Sequence, residues 1–255
     1  MVLVAMVYTN NFLNVRMAEN EFSTNKQFML TTGLQIDDIA WTLGRTQTVR
    51  YSSRYAQVTF QDAVLSYSVE ILNSTGWYQI FTGETGIILF NMPTTAYTLG
   101  NDYLERVFPS SNGSFLQEGP SAPVSHVYVM EKLPMGTESF TRVVVAPSIR
   151  MLPSTIGPQS YVKFYLPILE DGTNLGLSQS VTLTGKNVTQ YVFSGISQVR
   201  FNVTFPQAAQ GFDKSFFPFE NYFTFDHYEE TLELQTDSVV ELYVGTMSVS
   251  LGLHV

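Results

Sequence analysis

The feature that most constrains this chain is a run of apolar residues at its start. Tyr8, Val15, Phe22, Met29, Ile36 and Leu43 recur at intervals of seven. That spacing puts one apolar side chain on the same side of a helix every two turns. No proline interrupts the first 44 residues, and Gly33 is the one weak helix former within the run; glycine costs about 1 kcal/mol relative to alanine there. Gly44 stands where a helix commonly closes in the left-handed conformation. At 1.5 Å per residue the segment would extend roughly 65 Å, more than a small domain covers along its whole length. The expectation is a helix over 1–44 whose apolar seam meets something outside its own globule. Tyr8, Val15, Phe22 and Met29 are the expected contact residues, with Ile36 and Leu43 packed on the body.

The first eight residues, Met-Val-Leu-Val-Ala-Met-Val-Tyr, are apolar, and polarity rises abruptly at Thr9-Asn10-Asn11. Eight residues are too few to span a hydrocarbon layer that needs about 20. They carry neither a basic region nor a small-residue cleavage site. The run reads either as the end of a membrane helix that begins upstream of Met1, which is the favoured expectation, or as the apolar start of a soluble helix.

After residue 45 the pattern changes from helical to alternating. With 19 Phe and 14 Tyr in 255 residues, and many Val and Thr, the remainder favours strands. Strands are expected at 46–51, 55–60, 65–71, 77–81, 87–90, 103–108, 124–131, 140–146, 161–169, 179–184, 190–193, 196–205, 222–225, 229–234 and 239–253. Turn signals such as Asn73-Ser74-Thr75-Gly76 and Glu170-Asp171-Gly172 separate them. The expected fold is mainly β: residues 1–44 form the helix and residues 45–255 an antiparallel β-sandwich head.

Charge narrows the partners. There are 13 Lys and Arg against 22 Asp and Glu, a formal charge of −9, whereas phosphate binding needs basic residues in excess, so no nucleic-acid partner is expected. Charged residues are only 14% of the chain, below the roughly 25% usual for soluble domains. A surface rich in Ser, Thr, Asn and Gln instead suits an extracellular or cell-surface protein. The absence of cysteine removes thiol nucleophiles, disulfides and sulfur-ligated zinc.

Nor does any catalytic pattern emerge. His126, His227 and His254 are too far apart in sequence for a helical zinc pair, and His126 and His254 lie in alternating apolar runs typical of buried structural histidines. Asp37-Asp38, Glu170-Asp171 and Glu229-Glu230 are adjacent pairs, whose side chains diverge on either a helix or a strand. Asp171 to Asn174 offers only a fragment of a calcium loop. No glycine-rich phosphate loop or nucleophile elbow is present, so no cofactor, metal or catalytic residue is expected and the chain reads as a non-enzyme.

Two further features bear on a surface role. Asn-x-Ser/Thr sequons occur at Asn73, Asn112, Asn187 and Asn202, against roughly two or three expected by chance in this composition. Asn73 and Asn112 lie in expected turns, open to a modifying enzyme. The aromatic segment 212–225 contains Phe216, Phe217 and Tyr222. Such rings either fill a core or form an adhesive platform for surface glycans. That makes a carbohydrate-binding or adhesive module the alternative function.

An N-terminal helix feeding a β-rich, cysteine-free, sequon-bearing head resembles archaeal type IV pilin-like and archaellin-like proteins. More closely, the run from Ile36 to Ser53, IDDIAWTLGRTQTVRYSS, resembles one in uncharacterised archaeal membrane-anchored surface proteins. The runs Asn91-Met92-Pro93, Phe108 to Phe115 and Ser248 to Val255 share that similarity. The resemblance implies an outward-facing structural protein, held in the membrane or in a filament by its helix, and implies no activity.

Overall fold

The computed structural model describes residues 2–110, 114–132, 139–173, 179–217 and 227–252, with backbone alone described for 2–11 and 236. The chain opens with helix α1, Val2–Ala40. Strands β1 (Thr46–Arg50), β2 (Gln57–Asn73), β3 (Gly76–Pro93), β4 (Tyr103–Phe108), β5 (Leu116–Glu118) and β6 (Ser125–Glu131) follow. Then come β7 (Phe140–Pro147), β8 (Ile149–Ile156), β9 (Gln159–Asp171), β10 (Ser180–Thr204) and β11 (Tyr228–Leu251). The protein is mainly β with one N-terminal helix, as the change of period implies.

All the strands belong to one sheet, in the order β4-β6-β7-β3-β2-β10-β11-β9-β8-β5, with β1 pairing on β10. It is mixed rather than antiparallel throughout, because β9 runs parallel to β11 and β5 parallel to β8. Several expected breaks are irregularities inside long strands. The register shifts between Gln61 and Leu65, where Ala63 has φ 50°, and β2 continues through. Likewise β10 runs for 25 residues across shifts at Gly185/Asn187 and Phe193/Ile196. A bulge adds a residue, bends the strand and interrupts the alternation without ending it, so in sequence it imitates a turn. Strand β4 spans the expected residues. Strands β5 and β8 were not expected; β8 carries Pro153 and β5 is three residues long. The expected strand 222–225 lies outside the described residues.

Two apolar cores result. One lies between α1 and the sheet and contains Phe22, Met29, Ile36, Phe90, Val127, Val143 and Met247. The other contains Tyr67, Val69, Phe115, Tyr128, Phe164, Phe201 and Tyr228. Strand β9 packs across β2, β3 and β7 without pairing with any of them, so the sheet folds over itself to enclose this second core. Adjacent residues of β6 and β7 serve opposite cores, Val127 and Val145 facing the helix while Tyr128 and Val144 face away. Both strands are consequently buried along almost their whole length.

The lower half of α1 is an element of the head. Ala18, Phe22, Asn25, Met29, Thr32, Ile36 and Ala40 are buried at the three- and four-residue spacing of one helix face. Gly33, read from sequence only as a weak helix former, has a positional reason. A Cβ there would lie 2.6 Å from Val127 Cγ2, and Ser125 Oγ donates to Gly33 O at 2.8 Å. At the end of the helix, Cβ atoms on Gly185 and Gly245 would lie 2.4 Å from the carbonyl oxygens of Thr42 and Ala40. Glycines on β10 and β11 thus let the helix terminus reach the backbone of the sheet. The helix ends at Ala40, and Leu43, expected to pack on the body, is 73% exposed. Trp41, adjacent to the helix end, sets its ring edge-on against Tyr165 of β9 at 5.2 Å.

Candidate functional site

The candidate site is the length of helix over which α1 leaves the head. Burial stops at Ala18. N-terminal to it, Phe12, Leu13, Val15 and Met17 are 59%, 52%, 53% and 42% exposed. At about 100° per residue, Val15 extends the docked face, whereas Phe12, Leu13 and Met17 turn toward the opposite side. Arg16 lies opposite the docked face, between Phe12 and Leu13 around the helix, its guanidinium 5.5 Å from the Phe12 ring centre and paired with Glu19 at 2.7 Å. The helix from Val2 to Met17 is about 24 Å long at the ordinary rise.

The expected contact seam is therefore divided. Phe22 and Met29 are buried against the head, with the Phe22 ring 5.1 Å from Tyr97 and 6.1 Å from Phe90. They are corrected from contact residues to core residues, because β3, β6 and β7 already cover them. Val15 remains exposed, and the side chain of Tyr8 lies outside the described residues. Phe12, Leu13 and Met17 were missed because they fall off the seven-residue register. An unusually apolar stretch on the side away from the seam was the available signal.

Polar latches fix the angle at which the helix leaves. The Glu21 carboxylate accepts hydrogen bonds from Ser53 Oγ and from the backbone N–H groups of Arg54 and Tyr55, the latter two at 3.0 Å. Asn25 Nδ2 donates to Ser52 O at 3.2 Å. On another flank Lys26 Nζ pairs with Glu105 at 2.5 Å. Further down, Asp37 accepts from both Trp41 Nε1 and Arg150 at 2.8 Å. Where the helix emerges, Asn14, Val15, Ala18, Arg54, Tyr55, Thr95 and Ala96 line an open cleft of about 620 Å³. Next to it the Tyr97 hydroxyl is held protonated by burial, reinforced by the negative charges of Glu19, Glu105 and Glu131.

The other candidate residues distribute as follows. Phe216 and Phe217 are buried in the second core, with Phe216 5.1 Å from Phe212 and Phe217 stacked on Phe205 at 5.3 Å. Of the two readings of these rings their burial excludes the adhesive platform and leaves core packing; Tyr222 lies outside the described residues. Among the sequons, Asn73 closes the β2–β3 hairpin and Asn187 is exposed on β10. Asn202 is half-buried with its Oδ1 covered, and Asn112 lies outside the described residues.

The ionisable groups inside the head belong to its packing. His126 is buried, and its imidazole is pushed down to about 4 by burial, against a Ser114 backbone bond that favours the charged form and with a further push from Arg106. Burial pushes the carboxyl of Glu131 up, but bonds from Thr141, Thr98 and the backbone of Leu99 and Gly100 hold it below the usual range. Among the described residues no three His, Asp or Glu side chains converge as a metal site. No helix there is long and apolar enough to cross a membrane, a statement that does not bear on strands. Comparison of the chain with protein-family models, curated proteins and solved structures gives no match.

Proposed function

We propose that this is a non-enzymatic cell-surface structural protein of pilin-like design, anchored or assembled through the projecting part of α1 and presenting its β-rich, sandwich-like head outward. One observation carries the reading: the helix is sheathed from Ala18 to Ala40 and then continues, with Phe12, Leu13, Val15 and Met17 uncovered. An apolar helix surface in water gains about 25 cal/mol for each Å² it can bury, so lipid or the helix of a sister copy is its natural partner. The archaeal origin and the filament-like arrangement implied by the resemblance belong to the same proposal. The self-contact or membrane contact is assigned to Phe12, Leu13, Val15 and Met17.

The test is a double variant, Phe12→Asp with Val15→Asp. The wild type should be recovered in membrane or large-assembly fractions. The variant should be released as a folded head with unchanged near-ultraviolet circular dichroism. Release of neither or of both proteins would overturn the proposal.

A further inference from the structure

We infer that Asn73 is the acceptor of an N-linked glycan, and that the tip of the β2–β3 hairpin is arranged to present it and to seat its first sugar on Tyr78. The inference rests on the export proposed above. The number of sequons does not decide the matter, since chance supplies nearly as many. The three described sequons differ in geometry.

Asn73 is the last residue of β2, and Ser74 and Thr75 form the turn to Gly76. Both the backbone N–H and the hydroxyl of Thr75 donate to Asn73 Oδ1, at 2.9 and 2.7 Å. The third residue of the sequon thus folds back on the first, binding the amide through its oxygen. The amide nitrogen is left on the other side, where it meets the Tyr78 hydroxyl at 3.3 Å. Hydrogen bonds on Oδ1 draw electron density from the carboxamide and make the proton on Nδ2 easier to lose.

The reaction is a group transfer from a phosphate-activated oligosaccharide, carried out by a transferase of the exporting cell. The bond from Nδ2 to the anomeric carbon forms as the bond from that carbon to the phosphate oxygen breaks. Phosphate leaves with the electron pair, and one Nδ2 proton passes to a base on the transferase.

The other sequons present the amide differently. Asn187 lies within β10, paired across to Thr246. Its Nδ2 donates to Thr189 Oγ1 at 3.1 Å, so the third residue of that sequon holds the amide by its nitrogen, where Thr75 holds Asn73 by its oxygen. Asn202 lies between Ser68 of β2 and Glu229 of β11, with Oδ1 covered. A sugar on that side chain would have to rise from between two paired strands.

The surroundings of Asn73 supply the second part. Tyr78 is opposite Ile71, two pairs from Asn73 and hence on the same face of the hairpin, and is 37% exposed. The Phe193 ring supports it from 6.3 Å away, edge to face. Sugars present C–H faces that pack on aromatic rings much as apolar side chains do. An exposed tyrosine held rigid beside the acceptor nitrogen therefore offers the first sugar a floor.

The experiment is peptide mass mapping of the full chain recovered from its own cells, with the fraction of recovery recorded. The Asn73 peptide should carry the glycan mass at an occupancy at least several-fold above the Asn187 and Asn202 peptides. Thr75→Ala should abolish the adduct, and Thr75→Ser should restore most of it, which separates a sequon effect from misfolding. Tyr78→Ala should leave the adduct in place but remove any rise in melting temperature that the glycan confers. An unmodified Asn73 peptide, or equal occupancy at Asn202, overturns the inference. If the protein carrying that unmodified peptide comes from the surface fraction, the proposed function stands; if it comes from the cytosol, both fall.

Discussion

Phe12 to Met17 and Ala18 to Ala40 belong to one uninterrupted helix, yet they differ in what covers them. The second part has its apolar face on the sheet and is latched by Glu21, Asn25, Lys26 and Asp37. The first part exposes Phe12, Leu13, Val15 and Met17. The seam of period seven runs through both. Periodicity therefore reports that a helix face is apolar and is silent on whether its own chain or another body covers it. That difference assigns the large stability effects to the lower helix and the assembly effects to the upper one.

The sharpest way to break the comparison is a charge at Met29, which is fully buried between α1 and the sheet. Met29→Asp removes a thioether that contributes about 1.5–3 kcal/mol by its burial and strands a carboxylate among apolar neighbours. A loss of at least about 4 kcal/mol, or failure to fold, is expected in urea titration. If Met29→Asp leaves stability within about 1 kcal/mol of wild type, the lower helix is not sheathed as described.

The next effect is acid sensitivity on β6, on the face turned from the helix. The unfolded chain binds a proton at His126 near pH 6.5, whereas in the fold that imidazole stays neutral until about 4. Between those values the unfolded state holds more protons, so the contribution is complete above about pH 6.5 and disappears as pH falls toward 4. By linkage this amounts to about 3 kcal/mol. Amide exchange in the lower helix should rise in step with that of β6 across the window, while the upper helix shows no such step. His126→Asn should flatten this part of the pH profile.

These two cases indicate what was legible in sequence. The helix, the switch to period two and the limits of β4 followed from side-chain periodicity, which is local. Bulges at Ala63 and Gly195 hid the continuity of β2 and β10, because a bulge and a turn interrupt alternation alike. The parallel pairing of β9 with β11 depends on strands about 80 residues apart, and nothing local records it. Phe216 and Phe217 could not be settled from sequence either, since clustered rings suit a core first but a platform as well. At the helix exit, the register drew attention to Phe22 and Met29 and away from Phe12, Leu13 and Met17.

Gly33→Ala tests how closely the lower helix approaches the sheet. Helix propensity alone favours alanine by about 1 kcal/mol, but the new methyl would lie 2.6 Å from Val127 Cγ2. Overpacking of this kind costs typically about 1–3 kcal/mol, so a net loss of about 1 kcal/mol is expected. A gain in stability would mean that α1 rides higher on β6. Glu21→Gln weakens the grip on Ser53, Arg54 and Tyr55, since bonds to a charged acceptor contribute about twice those to a neutral one. A loss of about 1 kcal/mol by thermal unfolding is expected, together with faster exchange at the Arg54 and Tyr55 amides.

The smallest effect on stability carries the most functional information. Phe12 is 59% exposed and lies on the side of α1 turned from the docked face. Phe12→Asp removes no packing within the chain, and surface substitutions of this kind stay within about 0.5 kcal/mol. Arg16 loses the ring beneath it but keeps its pairing with Glu19. Unfolding of the isolated chain should therefore match wild type, while sedimentation or membrane flotation should shift. The two halves of the helix are then separated by a single pair of measurements: Met29→Asp disturbs folding whatever the partner, and Phe12→Asp disturbs only what the partner provides. A Phe12→Asp protein that unfolds more easily by several kcal/mol would show that the upper helix also returns to the head, and the exposed rings would lose their claim to a partner.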